Sequence, residues 1–340
     1  MALIKLNTRS IPDNAVTPAK VVQEGRKNLL INGGFEISQR GTYTSAASYN
    51  DGTYLVDRWE LLRDGVTANY QHLVPVSGES SYGFKLIATS SAAGAIRLRQ
   101  RLEIPNIYKW GARTFTLSAR VKSNSSNARL MMYGGSGGGY VAMTSDSNDS
   151  HTGGGAIETL TATFTTTGSV SSEFAAFVGI DNARSASDPT IASGDYFEVY
   201  DFQMEEGSHA SSFENRTPPE ELALCQRYYY QVGGTSGFAQ IAPCIGTSTT
   251  ELAMQVKFPV DMRQTPSVSW ATNTNLTFRR MNNGSHDWAP NSVAALTTGE
   301  LRNYGGAIWF GGFSHGQSTY AAGHVRVSNG SNHLRFDAEL

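Results

Sequence analysis

The stretch Arg113–Lys122, RTFTLSARVK, decides the fold class of this chain. Its apolar residues stand at every second position, with polar residues between them: Phe115, Leu117, Ala119 and Val121. Because successive side chains of a β-strand point to opposite faces, this alternation predicts a strand with one buried and one hydrated face.

The same alternation recurs along most of the chain. In the first block it predicts strands at 55–63, 67–74, 82–89, 95–104, 113–122, 128–133, 139–144, 158–167, 173–181 and 195–204. In the second block it predicts strands at 237–245, 250–258, 266–271, 275–280, 305–313, 320–327 and 332–338. Half-apolar strands without crossover helices between them are typical of antiparallel sandwiches.

Composition excludes several classes of protein. The 340 residues carry 27 Lys and Arg against 29 Asp and Glu, so the net charge of −2 gives no general attraction to nucleic acid. The 35 glycines, the low charged fraction of 16% and the aromatic fraction of 10% argue against disordered or coiled-coil chains. No apolar run is long enough for a transmembrane helix, and the first residues do not resemble a signal peptide. We therefore expect synthesis in a cytosol, with Cys225 and Cys244 as buried, reduced thiols.

One helix is expected between the two blocks. The segment 217–220, TPPE, matches a capping box with proline at the first helical position. Leu222, Cys225 and Tyr229 follow on one helical stripe, and a glycine pair comes next. The predicted helix therefore spans 217–233.

Several short motifs resemble a bacteriophage tail-fibre family. The opening motifs are NLLINGGFE at 28–36, QRG at 39–41 and DRW at 57–59, after a leader-like segment, IPDNAVTPAK, at 11–20. The closing motifs are QMEEG at 203–207, FENR at 213–216, ELALCQRYY at 221–229, FPVDMRQTP at 258–266 and FDAEL at 336–340. The opening and the strand DYFEVYDFQMEEG at 195–207 are also similar to jelly-roll carbohydrate-binding modules.

This resemblance implies an all-β protein: an antiparallel jelly-roll sandwich, a short helix and a second, smaller β-sandwich tip domain. Its expected domains are an N-terminal attachment segment at 1–27, the jelly roll at 28–216, the junction helix at 217–233 and the tip at 234–340. The implied protein is a homotrimeric virion tail component, made in the host cytoplasm. Its implied partners are a tail or baseplate protein, docked through 1–27, and a host surface glycan or outer-membrane receptor, with no nucleic acid.

The receptor contact is expected in two loops of the tip domain, at 280–291 and 312–323. Both loops are rich in Gly, Asn and Ser, so no core pattern dictates their sequence. Their aromatic and imidazole side chains suit sugar stacking, and the candidate ligand-binding residues are His286, Trp288, His315 and Tyr320. The other tryptophans of this block, Trp270 and Trp309, lie in strand-like runs and are assigned to the core.

A structural calcium ion is a further possibility that the resemblance raises. Carbohydrate-binding jelly rolls hold such an ion near the meeting of the first and last strands, which places Glu36 and Asp201 as candidate ligands. Carboxylate oxygens are suitable ligands for calcium. The alternative of no ion and no cofactor stays open.

Catalytic motifs lack their expected contexts. The segment 134–138 matches G-x-S-x-G, but strands flank it on both sides, whereas a nucleophile elbow needs a strand followed by a helix. None of the seven histidines has zinc-protease spacing, and no local spacing predicts a converging carboxylate pair. The expected function is therefore a non-enzymatic fibre that binds the host. A fibre-associated glycan depolymerase and a carbohydrate-binding adhesin module are the alternatives.

Three arginines at alternate positions, Arg97, Arg99 and Arg101, form a basic stripe on one predicted strand. One interpretation is a solvated strand face or pairing with acidic residues of a neighbouring strand, and the other is attraction to an anionic surface polysaccharide.

Overall fold

The computed structural model describes residues 27–75, 81–103, 113–134, 143–144, 149–166, 174–181, 190–233, 240–270, 276–280, 287–288, 295–311, 322–327 and 334–340. The chain divides into two compact units between Arg216 and Thr217. Strands dominate both units and every strand pairing among the described residues is antiparallel, which confirms the all-β prediction. No helix in these ranges combines the length and the apolar character that crossing a bilayer requires.

The described part of the first unit is a sandwich of two main sheets. Its strands are β1 (Ala47–Ser48), β2 (Thr53–Tyr54), β3 (Glu60–Asp64), β4 (Ala68–Leu73), β5 (Gly83–Ala88), β6 (Ala92–Ala93), β7 (Ala95–Arg101), β8 (Thr114–Ser123), β9 (Ala128–Tyr133), β10 (Met143–Thr144), β11 (Ile157–Thr165), β12 (Ala175–Ile180), β13 (Thr190–Ile191) and β14 (Tyr196–Glu206). The front sheet has the order β1-β4-β5-β14-β8-β11-β10, and the back sheet has the order β2-β3-β7-β12-β9. Strands β6 and β13 form a separate pair. Successive long strands pass repeatedly between the two sheets, as in a jelly roll.

The predicted alternation determines which side chains fill this sandwich. In β8 the apolar set that defines the pattern is buried: Phe115, Leu117, Ala119 and Val121. They share one core with apolar residues of the back sheet, such as Leu98 and Val178. Burial of these faces against each other is the main source of stability, because each large apolar side chain contributes roughly 1.5–3 kcal/mol on burial.

The opening and closing motifs of this unit pack against each other. Gly33 accepts a 2.9 Å hydrogen bond from the Phe202 backbone N–H, and a Cβ at Gly33 would overlap the Phe202 carbonyl oxygen. The Trp59 ring stacks on Phe202 with centroids 5.3 Å apart, and its indole N–H donates to the Asn32 carbonyl at 2.7 Å. The NGGFE and DRW motifs are therefore parts of one packed turn against the last strand.

The last strand is bulged where this turn meets it. The register of β14 against β8 shifts between Tyr200 and Gln203, and Asp201 takes a left-handed backbone conformation with φ of 51°. Beyond the bulge, Glu214 of the FENR motif accepts hydrogen bonds from the backbone N–H groups of Lys27 and Asn28, at 2.9 and 2.6 Å. The first and last segments of the unit thus hold each other in place.

The second unit has one helix among its described residues, α1 (Pro218–Gln226), and two antiparallel sheets. Its strands are β15 (Tyr229–Val232), β16 (Gln240–Gly246), β17 (Glu251–Lys257), β18 (Ser267–Trp270), β19 (Leu276–Arg280), β20 (Asp287–Trp288), β21 (Ala295–Thr297), β22 (Gly305–Gly311), β23 (Ala322–Val327) and β24 (Leu334–Asp337). The sheet orders are β15-β24-β18 and β20-β19-β23-β16-β17-β22-β21. Phe336 of the smaller sheet shares a core with Met254, Ile308 and Phe310 of the larger one. This is the second, smaller sandwich that the sequence predicts.

The helix begins as predicted but ends early. Its capping box is present, and the Glu220 carboxylate accepts a hydrogen bond from the Thr217 N–H at 3.1 Å. It ends at Gln226, so the predicted span of 217–233 is wrong at its C-terminal end. The run that follows is rich in tyrosine, a residue favoured in strands, and it pairs as β15 with β24. The buried face of the helix carries Glu221 and Cys225, while Leu222 is half-buried.

Other sequence predictions for the second unit have mixed outcomes. Cys225 and Cys244 are both free and buried, as expected. Trp270 packs against the core, with its ring 6.1 Å from that of Phe310. The assignment of Trp309 to the core is wrong, because its neighbours Ile308 and Phe310 take the inward positions of β22 and Trp309 is half-buried on the opposite face.

Replacing Gly33 by alanine tests the packed turn. We expect Gly33→Ala to destabilise the first unit by about 1–3 kcal/mol, because the added methyl group forces the turn away from Phe202. Gly154→Ala is the control, since its Cβ would meet only the Thr152 hydroxyl at 3.6 Å. Urea unfolding of both variants measures the difference, and equal stabilities would contradict the proposed close contact.

Candidate functional site

The last strand of the first unit carries three polar side chains on the outer face of the front sheet. Tyr196, Glu198 and Tyr200 occupy alternate positions of β14, while Phe197 and Val199 between them enter the core. Because β14 lies between β5 and β8 in the sheet, the side chains of both neighbours flank this row.

Glu198 lies directly between two lysines on the flanking strands. The strand register places it opposite Lys85 of β5 and Lys122 of β8. Lys85 Nζ is 2.8 Å from Glu198 Oε1, and Lys122 Nζ is 3.7 Å from Oε2. The Tyr200 hydroxyl donates to Oε2 at 3.0 Å. One largely buried carboxylate therefore links three strands of the sheet.

The two tyrosine rings are held by close contacts with cations and with glycine. Lys85 Nζ is 4.4 Å from the centroid of the Tyr196 ring, and the Arg120 guanidinium is 5.7 Å from that of Tyr200. Both distances lie within the range of cation–π attraction. A Cβ on Gly83 would come within 2.5 Å of the Tyr200 ring, so the ring lies against a position that only glycine can occupy.

The bulge in β14 adds a second carboxylate to this surface. Asp201 Oδ2 is 3.1 Å from Arg120 Nη1, and the Ser81 hydroxyl is 3.5 Å from the same oxygen. The left-handed conformation of Asp201 interrupts the regular alternation, which lets its carboxylate follow Tyr200 on the outer face. We call the resulting group the cationic cluster, formed by Lys85, Arg120, Lys122, Tyr196, Glu198, Tyr200 and Asp201.

A shallow groove of about 190 Å³ adjoins the cationic cluster. Glu198 and Tyr200 line it on the cluster side, and the other described lining residues come from the β1–β4 edge and the start of β5: Thr44, Gln71, His72, Leu73, Val74 and Ser81. The groove provides amide and hydroxyl groups beside the charged ones, which suits a ligand rich in hydroxyls.

His72 lines this groove from the core side of the sheet. It is buried, its Nε2 donates to the Phe35 carbonyl at 2.8 Å, and its ring stacks on Tyr82 with centroids 5.7 Å apart. Burial lowers the pKa of His72 below its ordinary value of 6.5, although the bond to Phe35 acts in the opposite direction. His72 is therefore neutral near pH 7 and has a structural role.

A row of threonines continues the same face beyond the cluster. Thr114 and Thr165 are joined by a 3.1 Å hydroxyl contact, and Thr116 and Thr163 by one of 3.3 Å. These residues lie on β8 and β11, and the β8 members share the face of Arg120 and Lys122. Thr116 is buried and its hydroxyl donates to the Gly207 carbonyl, so this part of the polar face is covered by the chain itself.

The arginine stripe lies on the back sheet and is paired. Arg99 binds Glu60 of the neighbouring strand at 2.7 Å, and Arg101 lies 3.8 Å from the same carboxylate. Arg97 Nε is 2.5 Å from Asp181. Of the two interpretations of the stripe, pairing with acidic neighbours is therefore the one that the structure supports.

The second unit has a larger groove, of about 360 Å³, with a different character. Tyr230, Val232, Ile241 and Val256 make its described lining mainly apolar, and Lys257 supplies its charge. It lacks the paired charges of the cationic cluster.

Most of the predicted tip site lies outside the described residues. This holds for His286, His315 and Tyr320, whereas the backbone of Trp288 belongs to β20 and pairs with Phe278. The tip-loop site stays a prediction. Most of the G-x-S-x-G segment, 135–138, also lies outside the described ranges.

The calcium hypothesis also stays a prediction. Glu36 is exposed and follows Phe35, which has a positive φ of 58° in the packed turn. Asp201 is paired with Arg120. Within the described ranges, no three acidic, histidine or cysteine side chains come together as a metal-binding group.

Apart from Asp201, which was a candidate calcium ligand, the sequence analysis did not single out the residues of the cationic cluster. A signal was present, because Tyr196, Glu198 and Tyr200 alternate with buried apolar residues in a strand that resembles carbohydrate-binding modules. The partners could not be read from the sequence, since Lys85 is 113 residues from Glu198.

Comparison with known proteins gives only distant likenesses. No protein-family model matches the chain, and the comparison with curated proteins finds no match. Among solved structures, the chain is similar to the enzymatically active domain of tailspike protein 4 from bacteriophage CBA120, with 16% identity and a TM-score of 0.32. This match covers 53% of the chain and 21% of the tailspike.

Two carbohydrate-binding structures are also similar to the chain. One is a family 11 carbohydrate-binding module of a Clostridium thermocellum cellulosomal cellulase, with 14% identity, a TM-score of 0.29 and coverage of 50% of this chain and 100% of the module. The other is an N-terminal CBM22 tandem domain from Paenibacillus barcinonensis, with 8% identity and a TM-score of 0.30. This match covers 89% of the chain and 98% of the tandem domain. Such low TM-scores assign no family, so the function is argued from the site itself.

A double-mutant cycle between Lys85 and Glu198 tests the cluster. We expect Lys85→Ala and Glu198→Ala to show a coupling of about 1 kcal/mol in urea unfolding, since their side chains are only 22% and 8% exposed. Arg113 and Glu206 on the same sheet are the control, because this pair is 43% and 55% exposed and should couple by less than about 0.5 kcal/mol. Equal couplings would show that burial does not strengthen the Lys85–Glu198 pair.

The buried imidazole of His72 makes stability depend on pH. Its pKa is lower in the folded than in the unfolded state, so the unfolded state binds more protons as the pH falls through 6.5. The free energy of unfolding should therefore decrease below this pH, and His72→Gln should show a smaller decrease. The control is His209→Gln, because His209 is exposed and its replacement should leave the pH dependence of the free energy of unfolding as in the wild type. If His72→Gln also keeps the wild-type pH dependence, His72 is not its source.

Proposed function

We propose that the protein is a non-catalytic glycan-binding component of a phage tail fibre, which attaches the virion to its host. The observation that carries the glycan-binding part is the cationic cluster with its adjoining groove. There, two tyrosines and a carboxylate that links three strands stand on the outer face of a rigid sheet.

The chemistry of this face suits a sugar chain. A sugar ring presents hydroxyls at its edges and C–H groups on its faces, so it needs hydrogen-bonding groups together with aromatic or aliphatic surface. Gln71 and Thr44 of the groove supply amide and hydroxyl groups, and the half-buried Tyr196 supplies an aromatic edge. Because the groove is shallow and open to solvent, it fits part of a polymer better than a small enclosed molecule.

Binding rather than cleavage is favoured by the state of the carboxylates. A glycosidase brings two carboxyl groups to opposite sides of the scissile bond, about 5 to 9.5 Å apart. On this face Glu198 is held by two lysines and a tyrosine, and Asp201 by Arg120. Glu205 accepts hydrogen bonds from Gln203 and Ser211. These contacts give the carboxylates structural roles, Glu198 and Asp201 as counter-charges and Glu205 as a hydrogen-bond acceptor.

The virion part of the proposal is supported by the motifs that resemble phage tail fibres. We propose with it a homotrimer, attachment of residues 1–27 to a tail or baseplate protein, and residence in the virion tail. The receptor is a host surface glycan or a glycan-bearing outer-membrane receptor. The tip loops, with His286, Trp288, His315 and Tyr320, are proposed as a second contact surface.

The test uses binding of the purified full chain to a panel of bacterial capsular polysaccharides and lipopolysaccharides. We expect Tyr196→Ala to weaken binding about tenfold, which corresponds to roughly 1.4 kcal/mol, with little change in melting temperature. Tyr304→Ala is the control, because Tyr304 is 61% exposed in the second unit and belongs to neither proposed surface. Trp288→Ala and Tyr320→Ala probe the tip.

The outcomes separate the proposals. Loss of binding only in the tip variants would move the receptor contact to the second unit. Equal effects of Tyr196→Ala and Tyr304→Ala would remove the cluster as a binding site. Binding to no member of the panel would contradict the glycan-binding function.

A further inference from the structure

We propose that the glycan bound by the cationic cluster is acidic, and that its anionic groups are bound by Lys122 and Arg120. This inference rests on the proposed glycan-binding function and specifies the class of ligand. It is carried by the charge, the burial and the hydrogen bonding of the cluster residues.

The cations of the cluster surround its carboxylates. Lys85 and Lys122 flank Glu198, and Arg120 pairs with Asp201. An anionic group of a ligand would be attracted to the solvent side of these cations, whereas a neutral sugar would displace water from them without supplying a negative charge.

Burial places the positive charges outermost. The carboxylate side chains of Glu198 and Asp201 are 8% and 18% exposed, whereas Lys85, Arg120 and Lys122 are 22%, 34% and 37% exposed. The carboxylates therefore lie beneath the cations, and a ligand that approaches the sheet meets ammonium and guanidinium groups first. Such a layer attracts acidic polymers and repels cationic ones.

Lys122 has the hydrogen-bonding capacity that an anion would use. Its ammonium group lies 3.7 Å from Glu198 Oε2, a distance of charge attraction without a hydrogen bond, and it donates none to a residue that the structure describes. An ammonium group has three N–H donors. Lys85 differs, because it donates to Glu198 at 2.8 Å and covers the Tyr196 ring. Lys122 is therefore the residue expected to bind the ligand's anionic group directly.

The aromatic rings support the same conclusion. In many sugar sites a ring face is open for stacking, but here Lys85 lies over Tyr196 and Arg120 lies near the face of Tyr200. Tyr200 is also only 6% exposed. The rings therefore orient the cations, which makes charge the main determinant of recognition.

The experiment compares acidic polysaccharides with uncharged counterparts of the same backbone. The probes are hyaluronate, polygalacturonate and alginate, each also in a carboxyl-reduced form, and dextran sulfate against dextran. Binding of the full chain is measured by affinity electrophoresis and biolayer interferometry. We expect at least one acidic probe to bind ten or more times tighter than its uncharged form, and to weaken as salt screens the charges. The dextran pair distinguishes sulfate from carboxylate recognition.

Charge variants separate specific contact from general attraction. Lys122→Gln should weaken binding about tenfold or more, the loss expected for one charge-assisted hydrogen bond, and Lys122→Arg should retain most of it. Arg113→Gln is the matched control, because it removes one positive charge from the residue just before β8. Arg113 pairs with Glu206 and lies outside the cluster. Melting temperatures confirm that each variant is folded.

Three results would overturn the inference. Equal binding of acidic and uncharged probes would show a glycan-binding face without selection for acid, which leaves the proposed function intact. If Lys122→Gln and Arg113→Gln weaken binding of the acidic probes equally, the preference for acidic glycans comes from overall charge and not from contact with Lys122. Binding to none of the acidic probes, in a protein that binds another glycan in the wider panel, would also exclude the acidic class.

Discussion

The backbone contact between Gly33 and Phe202 is the constraint on which the first unit depends. It joins the opening turn to the last strand at a point where no side chain fits between them. Trp59 then covers the same place by stacking on Phe202. Because this contact sits at the bulge of β14, it fixes which residues of that strand enter the core, and it leaves Tyr196, Glu198 and Tyr200 facing outward.

The outer face that results is arranged by the need to pair buried charge. Burying a carboxylate such as that of Glu198 is costly unless nearby cations and hydrogen-bond donors replace the lost water, and the antiparallel register supplies a lysine on each side of it. The bulge brings Asp201 to Arg120 in the same way. The structural pairing and the proposed ligand recognition thus share one arrangement, in which carboxylates lie beneath a layer of cations.

Both units are β-sandwiches, but they differ in the size of their cores and in the polarity of their surfaces. The first unit buries a large core, and the outer face of its front sheet carries the cationic cluster. The second unit has a smaller core, and its described groove is mainly apolar. A rigid β framework supports both surfaces, because the side chains that face solvent are not needed to hold the sheets together.

The sequence by itself determined the elements whose cause is local. Alternation in Arg113–Lys122 predicted both the strand and its buried face, and the capping box at 217–220 predicted where the helix begins. Only the tertiary structure decided where that helix ends, because β15 pairs with β24, a strand about a hundred residues further along the chain. The cationic cluster is likewise a product of the tertiary structure, because its residues come from three strands. Their charges are brought together by the strand register, and this register depends on long-range pairing and on the bulge.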